Sequence, residues 1–235
     1  MYTDRYATAG ATRADNAYAE LKRSLLTGEF PLNVRLGEER LAAGIGMSRT
    51  PVREALTRLH AEGLVQRGPD GGFRPIAPDV GVMRDIYEVR SILELAALLR
   101  PARHGGAHDR PALEELREDW VGLAVEAGHE ADPGFVVMDE SFHVLLAEAA
   151  GNPVLADQLR LLNDRIRVVR MQDFLVEGRI EATVAEHVAI LDALLAGDAD
   201  RAGFLLDAHI GLSAAVVEDR VLRAVTRMAM GAELL

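Results

Sequence analysis

From Asp79 onward, apolar residues recur in steps of three and four, and no stretch alternates apolar with polar. That periodicity belongs to helices packed by one face, so the last two-thirds of the chain is expected to be a helical bundle without strands. Helices are expected over roughly 79–103, 111–128, 133–150, 153–175, 178–196 and 199–229. Arg110-Pro111, Asp132-Pro133 and Asn152-Pro153 mark three starts, each a capping candidate followed by proline at the first helical position. Proline is at home there because the missing N–H has no partner in the first turn anyway. Gly197 closes one helix and Asp198 caps the next.

The segment before Asp79 has another rhythm. Ala17, Leu21 and Leu25 predict a helix from about Ala14 to Thr27, closed by Gly28, and a short second helix follows around Glu38–Gly44. Gly44 and Gly46 break it, Ser48 or Thr50 caps the third, and Pro51 falls in that helix's first turn. Val52, Leu56 and Leu59 give the third helix its apolar stripe, which ends near Gly63. Leu64–Arg67 and Phe73–Ile76 then flank Pro-Asp-Gly-Gly, a turn signal for a small hairpin. Pro75 in the second strand implies a short edge strand. Three helices and a hairpin in this order describe a winged helix-turn-helix. The fold class is therefore mainly α, with a winged head (14–78) after a flexible leader (1–13) and an all-helical body (79–235).

Charge divides the same way. The net charge of −11 resolves into about +2 for residues 1–78 and −13 for the remainder. A mildly basic head on an acidic body fits nucleic-acid binding by the head alone. With no cysteine in the chain, disulfides and thiolate metal sites are excluded. No apolar run reaches a membrane span's length and no charged-then-apolar leader precedes the head, so a cytoplasmic protein is expected.

Within the head, Met47-Ser48-Arg49-Thr50-Pro51-Val52-Arg53-Glu54-Ala55-Leu56 carries the chemistry. Arg49 and Arg53, four residues apart, share one face at the start of a helix, while Val52, Ala55, Leu56 and Leu59 face the domain. A helix entering the major groove by its N-terminus needs this division: long donors for base edges, hydroxyls and free N–H groups for phosphate. Leu36-x-Glu38-x-x-Leu41-Ala42, Gly46 through Leu56 and Glu62-Gly63-Leu64-Val65 together resemble the GntR family of regulators over about 20–76. The resemblance implies base or phosphate contacts for Arg49 and Arg53 and backbone contacts for Ser48 and Thr50. It also implies a minor-groove approach for the wing-tip glycine, Gly71 or Gly72. Pro31-Leu32-Asn33 departs from the family's usual Pro-Gly, though Asn tolerates a left-handed backbone.

In the body, several helices carry polar residues on their own apolar seams. The seams are Met83, Ile86, Arg90, Leu93, Ala97; Val136, Asp139, His143, Leu146, Ala150; Ile180, Val184, His187, Leu191, Leu194; and Ala202, Leu205, His209, Leu212, Val216. Buried charge without a partner is costly, so these groups should meet one another or a ligand. Asp139 and His143 at i and i+4 can hold one metal, with His187 and His209 completing the set. Three imidazoles and a carboxylate suit zinc first, with nickel or manganese as alternatives. A small carboxylate could share such an ion, with Arg90 clamping its far end; the competing reading of Arg90 is a salt bridge with Glu94. Asn163 and Arg170 lie on an inward stripe with Ala156, Leu159 and Ile166 and are further pocket candidates. Trp120 reads as core, and His60, His104, His108 and His129 as surface.

These stretches also resemble a known domain. Glu88-Val89-Arg90-x-x-Leu93-Glu94, Asp139-x-x-Phe142-His143, Gly151-Asn152-Pro153, Glu186-His187-x-x-Ile190, Gly197-Asp198 and His209 resemble the FCD effector domain of the FadR-type branch of GntR regulators. The resemblance implies a metal held by one Asp and three His, with an organic acid sensed beside it. The expectation is a non-enzymatic repressor: a homodimer on a short inverted-repeat DNA operator, its affinity set by a small organic acid. Two readings compete. One is a metal-dependent hydrolase in the body, for which Glu140 and Glu186 point off the seam; the other is a DNA-binding protein with a purely structural metal.

Overall fold

The structure, a computed structural model, describes residues 12–31, 34–77, 79–125, 132–171 and 173–232. The chain divides into two compact units at Ala77/Pro78. In the first, α1 (Arg13–Leu26), α2 (Glu38–Gly44) and α3 (Arg49–Ala61) precede β1 (Val65–Arg67) and β2 (Phe73–Pro75). Thr12 caps α1 through a reciprocal pair with Asp15, its hydroxyl accepting from the Asp15 N–H while the Asp15 carboxylate takes the Thr12 N–H. Thr12 and Arg13, the last residues of the stretch read as flexible, belong to this cap and helix; residues 1–11, and the Leu32-Asn33 departure, lie outside the described residues. α1 crosses α3, and Ala17, Leu21, Leu25, Val52, Leu56 and Leu59 form the core with Val65 and Phe73 from the hairpin. The strands pair antiparallel in the register Val65↔Pro75, Gln66↔Arg74, Arg67↔Phe73, and Leu36 bridges to Phe73 on the other side. Pro75 takes the last ladder position, where a missing N–H is tolerated.

The second unit is helical among its described residues: α4 (Val80–Leu98), α5 (Arg100–His104), α6 (Arg110–Val125), α7 (Val136–Ala149), α8 (Pro153–Arg170), α9 (Arg179–Leu195) and α10 (Ala199–Ala232). Short 3-10 turns, Pro133–Phe135 and Asp173–Leu175, precede α7 and follow α8. The single helix expected over 79–103 divides at Leu99, because Pro101 cannot donate into the turn before it. Likewise the helix expected to reach 175 stops at Arg170. The start near 110 is capped one residue earlier than expected, Asp109 Oδ1 accepting from the Ala112 N–H at 3.2 Å; Asp132, Asn152 and Asp198 cap as expected. α4 lies against α7, α8 and α10; α6 against α7 and α9; and α9 against α10. Their shared core runs from Met83 and Ile86 through Phe142, Ile166 and Ile190 to Val221.

One seam differs from its expectation. Along α10 the buried line is Ala202, Leu206, His209, Ile210, Ser213, Val217 and Val221, whereas Leu205 is only partly buried and Leu212 is 56% exposed. The stripe sits one residue further along than the pattern suggested, because apolar pairs such as Leu205-Leu206 and Val216-Val217 offer two registers. His209 belongs to both, so its inward placement survives the correction.

Candidate metal centre and DNA-reading helix

Asp139 and His143 on α7, His187 on α9 and His209 on α10 converge, each offering a ligand atom within 4.8 Å of the others. All four side chains are buried. His209 Nε2 lies 3.2 Å from His187 Nε2 and 3.3 Å from His143 Nε2. The Asp139 carboxylate oxygens lie 3.7 Å from His143 Nε2 and from His187 Nε2.

The hydrogen bonds at the two outer ring nitrogens orient this cluster as a group that could hold a metal ion. His143 Nδ1 donates to Glu94 Oε2 at 2.5 Å and His209 Nδ1 to Glu186 Oε2 at 2.5 Å. An ionised carboxylate only accepts, so each Nδ1 carries the proton and each Nε2 turns a lone pair inward. This is the carboxylate–histidine arrangement that orients metal ligands. Converging lone pairs are relieved by a cation among them, or by a proton on His187 Nε2 shared with His209 Nε2 at 3.2 Å. Ligand atoms bonded at about 2.0–2.1 Å to one zinc ion sit roughly 3.3 Å apart, which the observed spacings fit. His187 is held differently. Its ring stacks on Phe142 at 3.6 Å and meets the edge of Trp120 at 4.3 Å, and its Nδ1 has no hydrogen-bond partner.

The surrounding charges set the protonation states. Burial pushes the His143 pKa down to about 4 against the opposing pull of Glu94. His187 is driven well below the usual histidine range, chiefly by burial and then by His209. Both rings are neutral near pH 7, as metal ligands must be. For Asp139, burial alone would raise the pKa, but Arg170 and the three histidines together hold it well below the ordinary value. Glu94 behaves alike: burial opposes ionisation, yet Arg90 and His143 keep it at about 2.

Several buried polar groups of this domain lack partners, and two of them, Arg90 and Arg170, connect to the cluster through Glu94 and Asp139. Arg90 Nε donates to Glu94 Oε1 at 2.6 Å, while both its Nη atoms have no hydrogen-bond partner. The salt bridge to Glu94 is present, and the two Nη atoms are buried without a partner. Arg170 donates to Asp139 Oδ2 through one Nη, leaving Nε and the other Nη unpartnered. Asn163 has no partner for either amide atom, and Asp139 Oδ1 and the Thr183 hydroxyl are likewise unmatched. Orphaned polar groups buried at this density cost folding free energy unless something else satisfies them.

Sequence reasoning missed the supporting roles of Glu94, Glu186 and Phe142. Glu94 was within reach of it, since it lies one turn beyond Arg90 on the same face. Glu186 carried no such signal, because it sits beside the seam rather than on it. Glu140, expected to point away from the metal ligands, does so, but it is buried and paired with Arg167 at 2.5 Å. Trp120 is core, as expected, and also walls His187. His129 lies outside the described residues.

In the head, Ser48 occupies the N-cap of α3 without a side-chain hydrogen bond there. Ser48, Arg49, Thr50 and Arg53 are all exposed, while Val52, Ala55, Leu56 and Leu59 are buried. Gly71 takes the left-handed turn conformation at φ +71°. At Gly72 a Cβ would lie 2.5 Å from Nε of the exposed Arg35 side chain, which would have to swing aside.

The comparisons agree with this division. Residues 13–74 match the family described as bacterial regulatory proteins, gntR family, and residues 85–212 match the FCD domain. The chain is 31% identical over 209 residues to an uncharacterized HTH-type transcriptional regulator in an unstable DNA locus of Streptomyces ambofaciens, covering 86% of this chain and 84% of that one. It is 29% identical over 175 residues to the uncharacterized HTH-type transcriptional regulator YdhC of Bacillus subtilis, covering 74% and 77%. Among solved structures, E. coli McbR/YncC superposes with a TM-score of 0.69 over 89% of this chain and 99% of that one, at 22% identity, a likeness of fold. The proteins matched are regulators rather than enzymes, which removes the hydrolase reading. The chain belongs to the gntR family of bacterial regulatory proteins, a DNA-binding transcriptional regulator whose second domain is an FCD domain.

Proposed function

We propose that this protein is a ligand-responsive repressor of the FadR-type branch, acting in the cytoplasm as a homodimer on a short inverted-repeat operator. Residues 14–78 read DNA, and 79–235 bind the effector and dimerise. A divalent ion, zinc first, is held by Asp139, His143, His187 and His209. When bound, it supplies a Lewis-acidic point for an anionic oxygen. The observation that carries the reading is the unpartnered edge of Arg90, which connects to that cluster through Glu94, with Arg170 and Asn163 also unsatisfied. A small organic acid would meet all of these at once, accepting from guanidinium forks that already have their charges balanced by Glu94 and Asp139. Arg49 and Arg53 present donors to base edges, Ser48 and Thr50 meet phosphate, and the wing tip at Gly72 approaches the minor groove. Effector binding weakens operator affinity.

The sensing half is tested by thermal shift. Small hydroxy- and dicarboxylates are expected to raise the melting temperature of zinc-loaded protein and to lose that effect after chelation. An effector at a hundredfold excess over its Kd stabilises by about 2.7 kcal/mol, about 5–10 °C for a chain of this size. A screen in which no acid stabilises the loaded protein argues for a purely structural metal.

The homodimer is supported by exposed apolar residues on two adjacent helices: Val89 and Ile92 on α4, and Phe204 and Leu212 on α10, with Phe204 74% exposed. A two-fold axis would bury one such patch against its copy. Leu212→Glu is expected to convert a dimer to a monomer by light scattering while leaving the far-ultraviolet circular dichroism unchanged. A variant that remains dimeric places the interface elsewhere.

A further inference from the structure

The arginines of α3 are not free in the head. Arg53 Nε donates to both carboxylate oxygens of Glu38, at 3.0 and 3.1 Å, and Arg53 Nη2 donates to Oε2 at 2.7 Å. Arg49 Nη2 lies 3.5 Å from the same Oε2. Glu38 stands in the first turn of α2, which packs against α3. Its carboxyl is held below the usual range, chiefly by Arg53, so it is ionised when the protein meets DNA. The wing has a parallel arrangement. Asp70 accepts from Arg74 at 2.7 and 3.0 Å and lies 3.5 Å from Arg35 Nε. Two acids thus occupy four of the head's arginines.

We propose that Glu38 is a positioning residue that sets DNA specificity: it grips the Nε edge of Arg53, fixes the plane of the guanidinium, and leaves the opposite edge for a base. This rests on the reading of α3 as the DNA-facing helix. A guanidinium reads guanine by presenting two parallel N–H groups to O6 and N7, which a freely rotating side chain does at an entropic cost. Gripped through Nε–H and one Nη2–H, Arg53 keeps one N–H on Nη1 and one on Nη2, parallel and in a set orientation. The same negative charge opposes sequence-independent attraction to phosphate, which supplies most non-specific affinity. Glu38 therefore favours the operator and disfavours other DNA at once. The head's small net charge is consistent with such a device.

The test uses full-length, zinc-loaded protein and two duplexes: one recovered by in-vitro selection with the wild-type protein, and a scrambled duplex of the same composition. Binding is read by fluorescence anisotropy across a salt series. Glu38→Gln is expected to lower the ratio of selected to scrambled affinity by about tenfold, within the range of one base contact. It should also raise affinity for the scrambled duplex and steepen its salt dependence by up to about one counterion. Glu39→Gln removes the same charge from an exposed neighbour, and is expected to leave the ratio within about twofold of wild type. In an Arg53→Lys background, which keeps the charge but loses the fork, Glu38→Gln should have no further effect on the ratio, as coupled residues require.

Equal ratios for the Glu38→Gln and Glu39→Gln proteins, or a full Glu38→Gln effect on top of Arg53→Lys, would overturn the proposal. Should Glu38→Gln melt early, Glu38→Asp, which keeps the charge at shorter reach, carries the same comparison. Arg53→Ala separates this inference from the reading beneath it. Lost selectivity in Arg53→Ala with an unchanged Glu38→Gln ratio sinks only the role of Glu38; equal losses on both duplexes place Arg53 on phosphate and overturn the proposal, and an Arg53→Ala protein that binds both duplexes as tightly as wild type sinks the DNA-facing assignment as well.

Discussion

Asp139→Ala is expected to lower the melting temperature of the metal-free protein by about 10 °C and to abolish its further stabilisation by zinc. Two effects meet at this carboxylate. It is the acceptor for Arg170, whose remaining Nε and Nη lack partners and whose guanidinium is fully buried. Removing one partner of a buried ion pair costs about 3–5 kcal/mol, because the other charge stays behind in a low dielectric. In a chain of this length each kcal/mol moves the melting point by about 2–4 °C. Asp139 is also one of the four proposed ligands, so the increment gained by mass action from a bound ion is expected to disappear as well. Scanning calorimetry of wild type and variant, each with zinc and with chelator, separates the two contributions. His209→Ala should lose the zinc response with a smaller loss in the chelated protein, since it leaves the Arg170–Asp139 pair intact. An Asp139→Ala protein that still gains stability from zinc would show that the ion, if any, binds elsewhere.

The second large effect is expected in the head. Arg53→Ala should cost about 1–3 kcal/mol of discrimination, roughly 5- to 150-fold between a selected operator and a scrambled duplex. Thr50→Ala is expected to weaken binding to both duplexes alike, as loss of a phosphate contact does. Anisotropy titrations at fixed salt report both numbers. Equal losses on the two duplexes for Arg53→Ala would assign that side chain to phosphate instead. Neither substitution should disturb the head's core, because both side chains are exposed while Val52 and Leu56 keep α3 in place.

How far the sequence reaches depends on where the information is stored. Seams written in unambiguous apolar residues are legible, and α7 and α9 carry their ligands where Val136, Leu146, Val184 and Leu191 point. α10 is apolar on two neighbouring stripes, so periodicity alone chose the register that includes the exposed Leu212. The Arg90–Glu94 pair is readable because it lies within one helical turn. The stacking of Phe142 on His187 and the grip of Glu38 on Arg53 join different helices, and no one-dimensional pattern encodes which side chains of two helices will meet. Such contacts follow from crossing geometry, which appears only once the bundle is assembled.

The four proposed ligands span residues 139 to 209 and come from three separate helices. A bound ion would therefore tie together distant stretches of a chain that has no cysteine for a covalent tie. Withdrawing it would populate opened forms, which cellular proteases remove. Metal supply would then govern how many copies of the regulator survive as well as how each copy responds. A metal-starved cell would then lose regulation by losing the protein itself.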